Sequence, residues 1–386
     1  MLDYIWFMEK FPISLLDKLS RRQQENALRG LTQFAASVDL SSNDYLGFSA
    51  NRQLFEAAHD YLLENGLAQN GSTGSRLISG NHSLYGITES YLAKFHNAES
   101  ALVFNSGYDA NVGFFSSVPQ KGDVVLYDEY IHASIRDGLR LSSAAAYKFP
   151  HNDTKALEVL INRYAGREIY IATESVFSMD GDSPHLSRMA LLSDKYGCRL
   201  VIDEAHAIGV FGKKGEGVVQ SSGLEDKVFA RIVTFGKGPG CHGAVILGPQ
   251  LLMDYLVNFA RSLIYTTALP PHSLATILAA YNRMEHAPER EKLLANITFF
   301  RSQVQKLGLA DVFIESHSAI HCAVMPGNEN VRSIASALQE KGFGVKAILS
   351  PTVPAGSERL RFCLHSYNTQ QEIKGVLEQL TPLLLL

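Results

Sequence analysis

At 386 residues, with 46% apolar and 19% charged side chains, the chain is long enough for two domains with cores of their own and lacks the composition of a disordered protein. A formal charge of −4 at neutral pH argues against nucleic acid or an anionic membrane as the main partner and points to small-molecule substrates. Cys198, Cys241, Cys322 and Cys363 are widely spaced, without a C-x-x-C pair or zinc-like clustering, so they read as reduced thiols of a cytoplasmic protein with no metal site.

The start, Met1 to Lys10, carries charges too early and an apolar stretch too short for a signal peptide. Residues 1–45 read as an N-terminal segment, 46–270 as a large domain, and 271–386 as connecting helices and a small domain. In the large domain, strand-like runs recur at 101–104, 123–127, 168–173, 199–202, 230–234 and 243–247. Amphipathic stretches separate them, as in Leu84, Ile87, Tyr91, Leu92 and Phe95. The alternation predicts an α/β fold with a mainly parallel, doubly wound sheet. Residues 265–271, with Pro270-Pro271, break the pattern and a helical region runs on to about Lys306. Strand signals at 319–325 and 359–364, with helical patterns near 331–341 and 369–383, make the last part a smaller α+β domain. The terminal Leu383 to Leu386 run is too short to span a bilayer.

Open α/β sheets bind ligands beyond the carboxyl ends of their strands, so the residues that follow each run carry the functional reading. Asn105-Ser-Gly107-Tyr108 stands where a strand gives way to a helix, and free N–H groups there could hold a phosphate. Alone, it would be an ordinary strand-to-helix turn. His132 follows the next run and could stack on an aromatic cofactor or handle protons, although a lone histidine is more often a polar strand end. The segment from Glu174 to Asp182 offers an acid and a hydroxyl, of which Ser178 is the better candidate; the plain alternative is a capped loop before a helix from about Leu186.

Asp203 and Lys237 follow two further buried runs. An aspartate can keep the ring nitrogen of pyridoxal 5′-phosphate protonated, and a lysine can hold the aldehyde covalently and later move protons. Gly236, Gly238, Gly240 and Gly243 crowd Lys237, which suits close approach or positive φ. Asp203-Glu-Ala-His206 also spells the DEAH signature of nucleotide-driven helicases, but no G-x-x-x-x-G-K-[ST] phosphate loop accompanies it. Gly238 to Gly243 fits G-x-G-x-x-G, yet a strand rather than a helix is expected after it. His132, His206 and His242 lack metal-ligand spacing. The polar loop from Gly71 to Gly80 is either part of the site or a connector.

Together these segments resemble the α-oxoamine synthases, fold-type I pyridoxal-phosphate enzymes that join an amino acid to an acyl thioester with loss of carbon dioxide. The resemblance covers nearly the whole chain, through Ser42-Asn-Asp-Tyr-Leu-Gly47, Gly71 to Gly80, His132-Ala-Ser134, Ser178-Met-Asp-Gly-Asp182, Asp203-Glu-Ala-His206, Thr234-Phe-Gly-Lys237 and Pro351-Thr-Val-Pro-Ala-Gly356. It implies that Lys237 carries the cofactor, Asp203 pairs with its ring nitrogen, His132 stacks on the ring, and His206 and Ser178 contact its phenolic or nearby groups. Gly107, Tyr108 and Thr234 match anchoring positions, and Arg361 matches the arginine that holds the amino-acid carboxylate. Asn43, Arg29 and Thr352 match substrate contacts. Thr266 and Thr267 match residues that reach the neighbouring subunit's phosphate, which implies a homodimer with shared sites.

Within the group the similarity is greatest to the biotin-pathway members, implying L-alanine and pimeloyl-CoA, or a pimeloyl carrier protein, as substrates. Glycine C-acetyltransferase and serine palmitoyltransferase activities use the same catalytic set and differ in their pockets. Two departures bear on the acyl side and the lysine loop. Ile348-Leu349-Ser350 precedes Pro351 where many biotin-pathway members carry an arginine, and Gly238-Pro239 follows Lys237 where an alanine and a bulky apolar residue are common.

Overall fold

Valine, isoleucine and leucine alternate in their allegiance along the central strands, because each strand is covered on both faces. The computed structural model, which describes residues 11–31 and 37–384, contains β2 (Ser100–Phe104), β3 (Val124–Asp128), β4 (Ala145–Phe149), β5 (Ile169–Glu174), β6 (Arg199–Asp203), β7 (Ala230–Thr234) and β8 (Ala244–Gly248) in one seven-stranded sheet ordered β2-β8-β7-β6-β5-β3-β4. Val124, Leu126, Ile169, Ile171, Leu200 and Ile202 point to one apolar cluster, whereas Val125, Tyr170, Ala172 and Val201 point to another.

Helices cover both faces. α1 (Ile13–Gln24), α2 (Arg52–Glu64) and α3 (Ser83–Phe95) precede the sheet. α4 (Gly107–Ser117) and α5 (Ala133–Leu141) follow β2 and β3, and α6 (Thr154–Arg163) and α7 (Leu186–Tyr196) pack on the opposite side. The buried stripe of α3 is Leu84, Tyr85, Thr88, Leu92, Ala93 and Phe95, and Ile87 is exposed instead of lying on it. Tyr85 earns its place through its hydroxyl, which accepts from the Leu269 N–H at 2.7 Å. No side chain caps the start of α7 at Leu186, so the loop before it is not the capped connection that its hydroxyls suggested.

The sheet is mainly parallel, but β8 runs antiparallel to both β7 and β2. Residues 235–243 are too few for a crossover, which normally takes a dozen residues or more. β4 was absent from the sequence pattern: Ala-Ala-Tyr-Lys-Phe is an edge strand whose exposed positions leave no β-branched run.

Beyond the sheet, α8 (Gln250–Phe259), α9 (Pro271–Met284) and α10 (Pro288–Lys306) lead to a three-stranded antiparallel sheet. It is ordered β11 (Lys346–Ile348), β12 (Arg359–Cys363), β9 (Ile320–Val324), backed by α11 (Asn328–Glu340) and α12 (Gln370–Leu383). The short β11 was likewise not foreseen. β10 (Phe343–Gly344) pairs in parallel with β1 (Val38–Asp39) in a separate two-stranded sheet, tying the N-terminal segment to the C-terminal part of the chain. A continuous apolar cluster joins the two sheets through Tyr281, Phe300, Phe362 and Leu380. Among the described residues no helix is long and apolar enough to cross a membrane. The readings made on Met1 to Lys10, and on the last two leucines of the terminal run, lie outside the described residues.

Candidate active site

Phe104, Asp128, Glu174, Asp203 and Thr234 end strands that run the same way, and Ala244 begins the reversed β8, so the segments after five strands meet at one sheet edge. Lys237 lies there, three residues past β7. Its loop needs glycine: a Cβ on Gly238 would strike the Ile208 carbonyl, and Gly240 has a φ of +64° beside the backbone of Phe48 and Ser49. The close approach that the glycines permit is therefore to neighbouring protein backbone.

From Lys237 a chain of hydrogen bonds runs to the second sheet. Lys237 Nζ lies 2.7 Å from His206 Nε2, and His206 Nδ1 lies 2.6 Å from the Tyr45 hydroxyl. That hydroxyl is 3.2 Å from Asn43 Oδ1, which also accepts from Arg361 Nη2 at 2.9 Å. Arg361 Nε donates to the Ser178 carbonyl at 2.7 Å. Tyr45, His206 and Arg361 are all buried. Burial lowers Lys237 to about 8 against the opposing pull of the Asp203 and Glu174 carboxylates. Burial, reinforced by the cations of Lys237 and Arg361, drives His206 well below its ordinary value, so its imidazole is neutral. A neutral imidazole carries one N–H, which makes its tautomer follow the protonation of the lysine at its other nitrogen.

A second network orders the opposite wall. Asn111, on the sheet-facing side of α4, donates to Asp203 Oδ2 at 2.8 Å and to Ser134 Oγ at 3.0 Å. Ser134 Oγ is 2.7 Å from His132 Nδ1, which also accepts from the Ser134 N–H at 3.2 Å. This fixes the ring of His132, the N-cap of α5, with Nε2 directed away from the cap. Asp203 Oδ1 accepts from the Ala205 N–H at 2.9 Å. Glu174 ends β5 directly opposite Asp203 in the register, is 2% exposed, and has an oxygen without a partner. Burial, then the neighbouring Asp203 charge, raises Glu174 well above the usual carboxylate range.

At the third corner, Ser106 caps α4 by accepting from the Asp109 N–H, and a Cβ on Gly107 would come within 3.3 Å of Thr234 Oγ1. Thr234 Oγ1 itself donates to the Gly243 carbonyl at 3.3 Å. Asn105 Nδ2 reaches Thr266 Oγ1 at 3.2 Å and the Thr267 carbonyl at 2.6 Å, so both threonines adjoin this turn. Tyr108 is half exposed and its hydroxyl donates to Asp137 at 2.9 Å, leaving its ring as the part that faces open space.

A cavity of about 410 Å³ opens beside His132 and Ser178, lined also by Asp180, Thr352 and Arg359. The structure thus gathers Lys237, His206, Asn43, Arg361 and Ser178 into one network and Asp203 and His132 into another, with Gly107, Thr234, Thr266 and Thr267 at the turn. Arg29 stands apart: it is exposed and donates to Thr352 Oγ1 at 3.3 Å on the outer side. Tyr45 and Asn111 were not singled out by sequence, and Glu174 was read only as one acid of its segment. The signal for Asn111 was a lone amide among Ala110, Gly113, Phe114 and Phe115 on a helix that faces the sheet.

His151, Asp180 and Asp182 form a further group with metal-ligand chemistry. Both ring nitrogens of His151 are already held, by Asp128 at 2.9 Å and Asp182 at 2.8 Å, and Asp180 is paired with Arg359.

The model of the aminotransferase class I and II family matches residues 36–380. The 8-amino-7-oxononanoate synthase of Emericella nidulans is 43% identical over 95% of this chain and 94% of its own length. A crystal structure of the 8-amino-7-oxononanoate synthase from Francisella tularensis superposes with a TM-score of 0.76 at 32% identity, covering 89% of this chain and 97% of the other. A serine palmitoyltransferase variant from S. paucimobilis with a bound PLP–myriocin aldimine gives a TM-score of 0.85 at 26% identity, covering 96% of each chain. The fold, the sheet-edge site and these likenesses agree: this chain belongs to the aminotransferase class I and II family and, within it, to the α-oxoamine synthases.

Proposed function

We propose that this chain is a pyridoxal-phosphate-dependent acyltransferase that condenses L-alanine with a pimeloyl thioester, CoA or carrier-protein bound, to give 8-amino-7-oxononanoate, carbon dioxide and the free thiol in biotin biosynthesis. The observation that carries the reading is Arg361. It is a guanidinium only 6% exposed, without a carboxylate partner among the described residues, joined through Asn43, Tyr45 and His206 to a lysine poised near neutrality. A buried cation of this kind calls for an anion, and an amino-acid carboxylate supplies it beside the base that must act on the same molecule.

The donor set fits the cofactor. Lys237 would be the amine for its aldehyde, Asp203 the anion for its ring nitrogen and His132 the flat ring to stack, and Ser178 and His206 would contact its phenolic or nearby groups. The N-terminus of α4 at Gly107 and Tyr108, with Thr234, offers N–H and hydroxyl groups for a phosphate. When bound, pyridoxal phosphate supplies an electron sink for the carbon next to nitrogen. The protein does the rest. Asn111 and the Ala205 N–H hold the Asp203 carboxylate in place, and Ser134 orients His132. Arg361 fixes the substrate carboxylate, and Lys237 moves the proton at the substrate carbon, its burial making the amine available near pH 8.

The reading extends to a cytoplasmic homodimer in which Thr266 and Thr267 serve the partner's phosphate site. It also takes residues 46–270 as the cofactor domain and 271–386 as the connecting helices and small domain, whose strand β12 delivers Arg361. Thiol release measured for alanine, glycine and serine against pimeloyl-, acetyl- and palmitoyl-CoA tests the substrates. Alanine with pimeloyl-CoA is expected to be preferred, and a preference for serine with palmitoyl-CoA or glycine with acetyl-CoA would overturn the assignment. Lys237→Ala is expected to remove both turnover and the visible absorbance of the bound cofactor; a variant that keeps both refutes the role of the lysine.

A further inference from the structure

Glu174 closes β5 where Asp203 closes β6, and the two are partners in the parallel register, so their side chains leave the same face of the sheet side by side. Both are nearly inaccessible, at 2% and 5% exposure. Two carboxylates held this way do not both stay charged, because each anion disfavours the other and burial disfavours both. The proton goes to the one whose anion is less well served.

The hydrogen bonds single out that one. Asp203 accepts from Asn111 Nδ2 at one oxygen and from the Ala205 N–H at the other. Glu174 Oε1 is buried and meets no donor, and the N–H that approaches the group is the main-chain one of His132. The charged groups around it act mostly in the same sense. Burial first, then Asp203 on β6 and Asp128 at the end of β3, oppose a charge on Glu174, while Lys237 after β7 pulls the other way. Lys237 is itself weakened as a cation by burial, and Asp128 is engaged by His151.

We propose that Glu174 is a positioning residue that works as the neutral acid, donating its O–H to the Asp203 carboxylate while its other oxygen accepts from the main chain of His132. In this form the oxygen that meets no donor supplies the proton itself. The bond closes a circuit. Asp203 is already joined through Asn111 and Ser134 to the ring of His132, and Glu174 joins the same two residues from the other side. The residue read as the anchor of the ring nitrogen and the residue read as the stacking ring are held in one frame, which carries one negative charge at the ends of β5 and β6 and not two. Their service to the cofactor rests on the pyridoxal-phosphate reading above; the protonation of Glu174 does not.

Infrared difference spectra between the parent and Glu174→Gln at pH 7, recorded with and without pyridoxal phosphate, test the proposal. The parent should show the carbonyl stretch of a protonated carboxylic acid, displaced in deuterium oxide and missing from the variant. Glu174→Ala removes both hydrogen bonds and should weaken cofactor binding by about tenfold or more, with a shift in the pH dependence of the visible absorbance. Glutamine can make both, with an amide N–H for Asp203 and an amide oxygen for His132, so Glu174→Gln should recover all but about threefold of the affinity and the parent's absorbance. A parent spectrum with no protonated acid to lose overturns the proposal. So does a Glu174→Gln variant about tenfold weaker for the cofactor with an altered absorbance, since the charge of Glu174 would then be what the site uses. Both readouts stand even where Glu174→Ala does not fold. If the acid band is present but the parent takes up no pyridoxal phosphate, the protonated Glu174 stands and the cofactor reading is what fails.

Discussion

Arg359 and Arg361 are two residues apart on β12, both nearly inaccessible, and both grip the loop 178–180 that follows β5. Arg359 pairs with the carboxylate of Asp180 and donates to the Met179 and Ser357 carbonyls. Among the described residues Arg361 has only neutral acceptors, the Ser178 carbonyl and Asn43. Around Arg359 the compensation continues, since His151 bridges Asp128 and Asp182. Around Arg361 it does not, and the neighbouring cation is Lys237. One region uses buried charge to fasten the second sheet to the first. In the other the charge is left open, which is how a folded protein keeps affinity for an anion it does not contain.

The contrast can be broken from either side. Arg359→Ala strands the Asp180 carboxylate in a buried loop and should lower unfolding free energy by about 3–5 kcal/mol. Denaturant unfolding checks this, and a loss below about 1 kcal/mol would make the pair ornamental. Arg361→Ala should do the reverse: little loss of stability, or a gain, but kcat/KM for alanine down by roughly a hundredfold. Arg361→Lys should recover little of this, because an ammonium cannot reproduce the planar fork. Equal damage to stability from both alanine variants would erase the distinction.

The compensated region also carries a pH signature. Burial alone would lower His151, but its hydrogen bonds to Asp128 and Asp182 outweigh that and raise it to about 9. The folded value lies above the unfolded one, so the bridge contributes fully below about pH 6.5 and its contribution fades as pH rises through about 9. His151→Gln should therefore cost about 1–3 kcal/mol near pH 6 and much less above pH 9. A difference between parent and variant that stays constant over that range would mean that the imidazolium is not the fastening element.

Sequence carried the reading wherever a residue's position followed from a strand's end. Asp203, Lys237 and His132 follow apolar runs, and period-two runs place what comes after them at the sheet edge. Residues that reach the site from elsewhere were less legible. Asn111 comes from the middle of α4 and Tyr45 from a loop before the first helix of the large domain, so nothing local marks either as a partner of Asp203 or His206. Glu174 was visible as one acid of a segment, yet its role depends on the register that sets it opposite Asp203. The reversal of β8 was readable in the shortness of residues 235–243, a length argument that periodicity does not contain. Arg29, matched to the family by resemblance, is exposed and joins neither network, meeting only Thr352 Oγ1 among the residues matched with it.

The smallest expected effect asks whether the open region is a relay or only a cluster. Among the described residues the Tyr45 hydroxyl is the single link between His206 Nδ1 and Asn43 Oδ1, and burial raises its own pKa, so it remains a hydroxyl throughout. Tyr45→Phe keeps the ring's packing and removes one hydrogen-bonding group, which should weaken the network by about 1 kcal/mol, roughly fivefold in kcat. Cut loose at Nδ1, His206 can settle in either tautomer, so the lysine loses a partner that changes with it and the pH profile of kcat should move. The Arg359 region touches none of these atoms and its stability should not change. A fivefold loss with an unmoved pH profile would reduce Tyr45 to a spacer; an unmoved rate would mean that Arg361 and Lys237 act as independent sites that happen to be near each other.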